Sequence, residues 1–516
     1  MSEPIPVEAD PPIMQASLSA MPAGAPANTA ARIGKNFSFR MAAQILIALI
    51  NVAKMVMLGN YLSAVGYGEY VFYYALIPLI GSIGDLGSGV MITKSIARDR
   101  LMGARYYGDA LMIKGAISVV ILVGVAGSAW FMFDPLKAAL ITVVCATALI
   151  DFSQDVSVWI LRAHERLDLE AALQLVNHVL WFALIWIGIW LHVSLTWLVS
   201  CALAAFLVRV GLGVWMVHRQ FYRPVFEFDW ARLRAFVIQA LPFGLAMFVV
   251  VLYGRIGVLM LQALASKTDV ALFNVGYMLS QPLGFISTAL SMAAFPTLAR
   301  RALRGHDVLA SALRRTSKYQ LVVTLPLMVG LFMLAQRVIP LLFHGTDFAR
   351  AGFTLKLMSL GLAFIFINLM SRYVLAAIDL QKVYLQAVIV GLVVNVGVGA
   401  ALIPSQGFAG ACYALLGGEA AILVMCQRAL SKYVPVTQLL GYLVRPGIAA
   451  LGMAAVVWGI RGANLAVVVT GGAVAYVTLL FLVRAFTPDE LRLMRGMLSS
   501  FGIPGMAAAR PAEPRS

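Results

Sequence analysis

Residues 171–217 read AALQLVNHVLWFALIWIGIWL, then HVS, then LTWLVSCALAAFLVRVGLGVWMV, and Arg209 is the single formal charge in the stretch. A helix needs about 20 apolar residues to cross the hydrocarbon of a bilayer. Each of the two runs meets that length, and three residues are enough only for a turn. The stretch is therefore a hairpin of membrane-spanning helices. Arg162 and Arg166 precede it and Arg219 and Arg223 follow it, while the turn carries no Lys or Arg. Bases on one side only are how orientation in a membrane is written.

Outward from this hairpin the same pattern recurs. Apolar spans are predicted over 37–58, 70–92, 109–133, 138–160, 171–191, 195–217, 238–262, 272–294, 319–341, 354–376, 383–403, 408–427, 444–460 and 464–483. The chain reads as an all-α integral membrane protein of about fourteen transmembrane helices. Composition agrees: 61% of the residues are hydrophobic and 12% charged, with mean hydropathy +0.88. Soluble domains run at about 45–50% apolar and about 25% charged. Of 39 Lys and Arg, only Lys137, Lys267, Arg337, Arg350, Lys356 and Arg461 fall in alternate loops, and nearly all the others stand on the opposite face or in the tails. The alternation never breaks step, so the number of helices is even and both termini are expected in the cytoplasm.

The net charge of +16 invites a nucleic-acid reading. It fails because the bases sit between apolar runs and form no basic domain with interleaved aromatics. The four cysteines, Cys145, Cys201, Cys412 and Cys426, lie inside apolar runs as small hydrophobes, and no disulfide or metal spacing is visible. Residues 1–30 lack a basic region followed by an apolar one, so they read as a disordered tail. Residues 300–318, rich in Arg, are predicted as an amphipathic helix on the membrane surface. Gln281-Pro282 predicts a bend in the eighth helix, since proline removes a backbone donor. Trp181, Trp186, Trp190 and Trp197 read as an interfacial belt.

An internal echo divides the chain. Lys54-Met-Val-Met-Leu leads through Gly68-Glu-Tyr70 to Ile96-Ala-Arg98. Some 200 residues later Arg255-Ile-Gly-Val-Leu leads through Ala271-Leu-Phe273 to Leu298-Ala-Arg300. A repeat of six helices keeps both copies in one orientation, a common transporter plan. The expected organisation is a first lobe over 31–220, a second over 221–435, two extra helices over 436–486, and a tail over 487–516.

Gly66-Tyr-Gly-Glu-Tyr70, Asp85-Leu-Gly87, Ile96-Ala-Arg98 and Leu161-Arg-Ala-His-Glu-Arg166 stand in this order. Val275-Gly-Tyr277 and Phe295-Pro-Thr-Leu-Ala299 follow in the second half. From about residue 36 to 430 the chain resembles bacterial polysaccharide (O-antigen and exopolysaccharide) flippases, of the multidrug/oligosaccharidyl-lipid/polysaccharide exporter superfamily. The resemblance implies a bacterial inner-membrane protein. It would move undecaprenyl-diphosphate-linked oligosaccharide between leaflets by rocking two lobes around a central cavity, without ATP hydrolysis or cofactor. Membrane lipid, a polysaccharide polymerase and glycosyltransferases are its implied partners. One departure concerns coupling: where relatives often carry an acid after an Arg-Ile pair in the seventh helix, this chain has Gly257.

Charges inside spans are costly, about 2.5–3.5 kcal/mol each on insertion scales, and usually face a cavity or one another. Lys54 and Arg255 occupy matching places in the repeat and, with Arg40 and Arg209, are candidate cavity cations for a diphosphate; snorkelling to an interface is the alternative. Asp85, in the second helix, is a coupling or ion-pair candidate with Lys54 as its partner. Asp151 and Asp155, one turn apart on a shared face, are candidates for proton exchange. Asp155 also has Arg162 or Arg166 as possible partners. His178 reads as an interhelical hydrogen bonder. Three other classes compete: an exporter of drugs, a membrane glycan polymerase or ligase, and a channel. Drug cations would ask for an acidic cavity, the outer loops are too short for a glycan-transferring site, and no filter-like repeat is present.

Overall fold

The computed structural model describes residues 27–85, 89, 92–93, 95–96, 99–302, 306–433, 436–487 and 490. Gly87, Arg98 and most of both tails, expected over 1–30 and 487–516, lie outside the described residues. The protein is all-helical. In chain order the helices are α1 (Ala27–Asp85), α2 (Gly103–Met132), α3 (Pro135–Ala163), α4 (Leu167–Trp190), α5 (Leu195–Gln220), α6 (Trp230–Leu264) and α7 (Lys267–Ser280). They continue with α8 (Gly284–Ala302), α9 (His306–Leu342), α10 (Ala351–Ala377), α11 (Gln381–Gln406), α12 (Phe408–Leu430), α13 (Val436–Gly459) and α14 (Leu465–Leu482).

Thirteen helical stretches among the described residues are long and apolar enough to cross a membrane. The first covers two crossings. At 1.5 Å per residue its 46 residues would reach roughly 69 Å, more than twice the hydrocarbon thickness. Ser63, with φ 59° and ψ 175°, breaks it in the middle. Fourteen crossings result. α7 and α8 share one crossing through a tight 3-10 turn at Gln281–Leu283, where the Gln281-Pro282 pair was expected to bend the chain. Of the segment expected to lie on the surface, residues 306–318 are instead the opening of α9, whose 37 residues run on into the span. Leu309, Ala310, Ala312 and Leu313 are buried there, packed in a core with Phe295 and Val374.

The helices are apolar on all sides, so lipid offers no hydrophobic reason for them to associate. Close packing and polar contacts hold them together. At the base-poor face a single core runs through α1, α3, α4, α5, α6, α7, α9, α10, α11 and α12, and includes Leu58, Tyr67, Leu261, Phe273, Phe343 and Phe348. At the basic face the cores are separate. One gathers Ile96, Tyr107, Trp159 and Val217, and the other gathers Phe295, Leu313, Val374 and Ile422. The two halves thus share a core at one face, while at the other their cores are separate and only the start of α6 reaches across, with Arg232 on Asp109 and Phe236 against the first core.

Near the join, Tyr67 donates to Asn274 Oδ1 at 2.8 Å and Lys267 pairs with Glu69 at 2.7 Å. Asn60 donates to the Leu342 carbonyl and accepts from the His344 amide. Helix α7 starts with a capping box between Ser266 and Asp269, which satisfies two of its first free amides.

Helices α13 and α14 are fastened along α9. Arg337 donates to the carbonyls of Arg461 and Ala463 at the α13–α14 turn. Tyr476 donates to the Val322 carbonyl, and Lys318 pairs with Glu490 at 2.6 Å. Burial pushes the Glu490 carboxyl up, but its bonds from Lys318 and the Thr487 amide outweigh that and hold it below its ordinary value.

Candidate functional site

Lys54 lies in α1 about three turns before the Ser63 break. It is buried at 6% exposure, with its ammonium 3.6 Å from the centre of a Trp181 ring in α4. Trp181 packs on Tyr74 at 5.3 Å and on Phe206 at 5.8 Å. Arg255 of α6 sits over another ring of this group, 5.6 Å from the Tyr74 centre. Tyr70, Tyr73, Tyr74 and Trp181 also line a small hollow. The two repeat-matched cations thus share one aromatic rack, and each is held by a ring face, which attracts a cation through its quadrupole. Among the described residues, neither Lys54 nor Arg255 has a carboxylate within ion-pair distance.

The other two predicted cations are neutralised. Arg209 pairs with Asp151 at 2.7 Å. Arg40 lies 3.8 Å from Glu170, whose main partner is Arg162 at 2.6 Å. Arg166 pairs with Asp168. Of the bases expected near Asp155, Arg166 is engaged elsewhere, while Arg162 forms its ion pair with Glu170 and keeps Asp155 within electrostatic reach.

Asp85 does not meet Lys54. Counted from Ser63 at 1.5 Å per residue, Lys54 is roughly 14 Å down one crossing and Asp85 roughly 33 Å down the next, so the two lie at different depths. Asp85 instead faces Lys114 of α2 at 3.9 Å. Lys114 is 2% exposed. It donates to the Phe152 carbonyl at 2.6 Å, touches the Phe152 and Trp159 rings, and lies within electrostatic reach of Asp155 and Asp151. The predicted acids therefore converge on a base that sequence reasoning passed over. The signal was available: Lys114 is a lone base five residues into an apolar run, on a helix adjoining three intramembrane acids.

A second omission is Glu419 in α12, a single acid in its apolar run. It is 8% exposed, accepts from Tyr253 at 3.0 Å, and accepts from Asn368 at 2.8 Å. Asn368 also donates to the Glu419 carbonyl. Removing one partner of a buried hydrogen-bonded group costs about 1–3 kcal/mol. Asn368→Ala and Tyr253→Phe are each expected to lower stability by that amount, read as a lower unfolding midpoint in detergent. An unchanged midpoint in both would show that the acid does not depend on them.

His178 stacks beside Trp181 at 6.4 Å, with its Nδ1 buried and without a hydrogen-bond partner among the described residues, so it is not the interhelical donor expected. Trp186, Trp190 and Trp197 are exposed as a belt requires, whereas Trp181 is buried and belongs to the rack.

Residues 33–301 match the family described as polysaccharide biosynthesis protein. No curated protein sequence matches the chain. Among solved structures the fold is similar to the lipid II flippase MurJ in an inward closed conformation, with TM-score 0.73 at 12% identity over 86% of this chain and 98% of that one. It is also similar to an inward-facing multidrug resistance MATE transporter of the MOP superfamily, with TM-score 0.61 at 16% identity over 78% and 98%. A Vibrio cholerae MATE transporter matches with TM-score 0.53 at 17% identity over 79% and 97%. At these identities the likeness shows the fold, that of a multi-pass membrane transporter or flippase.

Proposed function

Because this chain belongs to the polysaccharide biosynthesis protein family, we propose that it is a flippase. Its substrate is undecaprenyl-diphosphate-linked oligosaccharide, carried from the cytoplasmic to the outer leaflet of a bacterial inner membrane by alternating access. Helices α1–α5 and α6–α12 act as two lobes of six crossings each. The basic face is cytoplasmic by the distribution of Lys and Arg. The state with one shared core at the base-poor face and two cores at the basic face is then inward-facing.

One observation carries the substrate class: of the four candidate cations, the two without carboxylate partners, Lys54 and Arg255, rest on one aromatic rack. Cations left without counter-charges in a membrane are held ready for an anion. Arg can grip a phosphate bidentately and Lys supplies a point charge. Aromatic faces beside them suit the apolar face of a sugar ring. A drug cation would be repelled there. An enzyme would need a gathered set of reacting groups on an accessible loop, and the longest connection on the base-poor face is residues 343–350.

The swing between states is driven only by what binds one state better than the other. Two buried acid sites are candidates for that coupling. One is the Lys114 group with Asp85, Asp151 and Asp155, and the other is Glu419.

The test is leaflet exposure of lipid-linked oligosaccharide in cells lacking the protein. Exposure to a periplasmic glycan-cleaving reagent is expected to fall, and to return with the native chain. A charge-assisted hydrogen bond is worth about 1.5–3 kcal/mol. Lys54→Ala and Arg255→Ala are therefore expected to slow clearance by roughly 10- to 100-fold with normal membrane insertion. Unchanged exposure with altered glycan length would replace flipping by a role in polymerisation or transfer.

A further inference from the structure

The connection between α5 and α6, Phe221-Tyr-Arg-Pro-Val-Phe-Glu-Phe-Asp-Trp230, has no regular secondary structure over residues 222–229. Its inward side is fastened to the first half. The Val225 amide donates to the Ala104 carbonyl at 3.0 Å, and Tyr222 hydrogen-bonds with His164. Arg105 pairs with Glu227 at 3.1 Å. Arg232 grips both oxygens of Asp109, at 2.8 and 2.9 Å, and also bonds the Glu227 carbonyl. Asp229 caps α6 through the amides of Ala231 and Arg232. Gly108 makes the close approach possible, since a Cβ there would collide with the Val225 carbonyl.

Its aromatic side chains face away from the protein: Phe226, Phe228 and Trp230 are exposed by 62%, 77% and 67%. Trp215, with Arg219 stacked over its ring, is also exposed, as are Arg223 and Arg234. The acids of the strap, Glu227 and Asp229, are used by Arg105 and by the helix cap, so the charge left on this surface is positive.

Height decides what covers it. The 30 residues of α2 reach roughly 45 Å, the thickness of hydrocarbon plus both headgroup layers. Ala104, in the first turn of α2, therefore lies in the headgroup layer of the basic-face leaflet, and the strap bonded to it lies at the same depth. Aromatic rings flanked by arginines at that depth match the chemistry of an anionic lipid interface.

We propose that the α5–α6 connection is an interfacial lipid anchor, with Phe226, Phe228 and Trp230 set into the boundary between headgroups and acyl chains and Arg223 and Arg234 on anionic headgroups. The anchor holds the start of α6 at fixed depth beside the first lobe. It rests on membrane embedding alone and stands whatever the substrate is.

The test places one cysteine at a time (Phe226→Cys, Glu227→Cys, Phe228→Cys, Trp230→Cys) in the full chain, whose own four cysteines are buried. Each is spin-labelled and reconstituted into vesicles of phosphatidylethanolamine and phosphatidylglycerol. Oxygen collisions are expected to exceed nickel-chelate collisions at 226, 228 and 230, with the reverse at 227. Equal nickel access at all four positions overturns the proposal. Shielding from both reagents also overturns it, because that marks a protein surface covering the row. Replacing phosphatidylglycerol by phosphatidylcholine is expected to raise nickel access at 228, but not when Arg223→Gln and Arg234→Gln are also present. If lipid charge changes nothing in the native-arginine chain, the role of the arginines is overturned.

Discussion

Lys114→Met is expected to destabilise the protein by about 3–5 kcal/mol, the usual cost of removing one partner from a buried ion pair. The ammonium is almost fully buried, donates to the Phe152 carbonyl, and faces Asp85 with Asp155 and Asp151 in electrostatic reach. Taking it away leaves carboxylates in a poorly solvated site without their common counter-charge. Methionine fills most of the volume, so the loss reports charge more than cavity. The expected readout is a large fall in unfolding midpoint in detergent, or failure to accumulate in the membrane. Adding Asp85→Asn to Lys114→Met is expected to recover part of the loss, because the double variant removes both members of the pair. If the two single changes simply add, Asp85 and Lys114 do not act as a pair and the cluster is wrongly drawn.

The crossings were legible because they rest on a quantity that survives in one dimension: run length. The pairings were not. Helices apolar on every side have no amphipathic phase from which to read rotation, so no spacing rule says which helix Asp151 faces. It meets Arg209 from α5, and Arg162 makes its ion pair with Glu170, not Asp155. The Asp85–Lys54 pairing failed on depth, and counting residues from the turn at Ser63 would have exposed it. Lys54 and Arg255 were singled out because the repeat compares like with like: two bases at matching places of matching helices. Trp181 was misplaced because one exposed-looking tryptophan in a cluster of four cannot be told from its neighbours by sequence. Lys114 and Glu419 were hidden by the same search that found the spans, which tolerates one charge per run.

The motif Gly66-Tyr-Gly-Glu-Tyr70 carried the family resemblance without a stated role, and its contacts now suggest one. Tyr67 reaches Asn274, Glu69 reaches Lys267, and Gly68 lies directly on the Lys267 carbonyl, which a Cβ at that position would overlap. Asn274 and Lys267 lie in α7, the helix that the internal echo matches to this segment. The motif is therefore where the two halves close on each other at the base-poor face, and glycine is required because backbone meets backbone. Gly68→Val is expected to disfavour the joined state by about 1–3 kcal/mol, the ordinary cost of overpacking, and so raise opening at that face by roughly 5- to 150-fold. The measurement uses Ala351→Cys, a fully buried position in the shared core, labelled from outside the cell by a membrane-impermeant maleimide. Alone it is expected to react slowly. With Gly68→Val it is expected to react faster by that factor, while transport falls because the closed state is no longer reached. Unchanged labelling in a normally inserted double variant would place the seal elsewhere and return the motif to a purely local packing role.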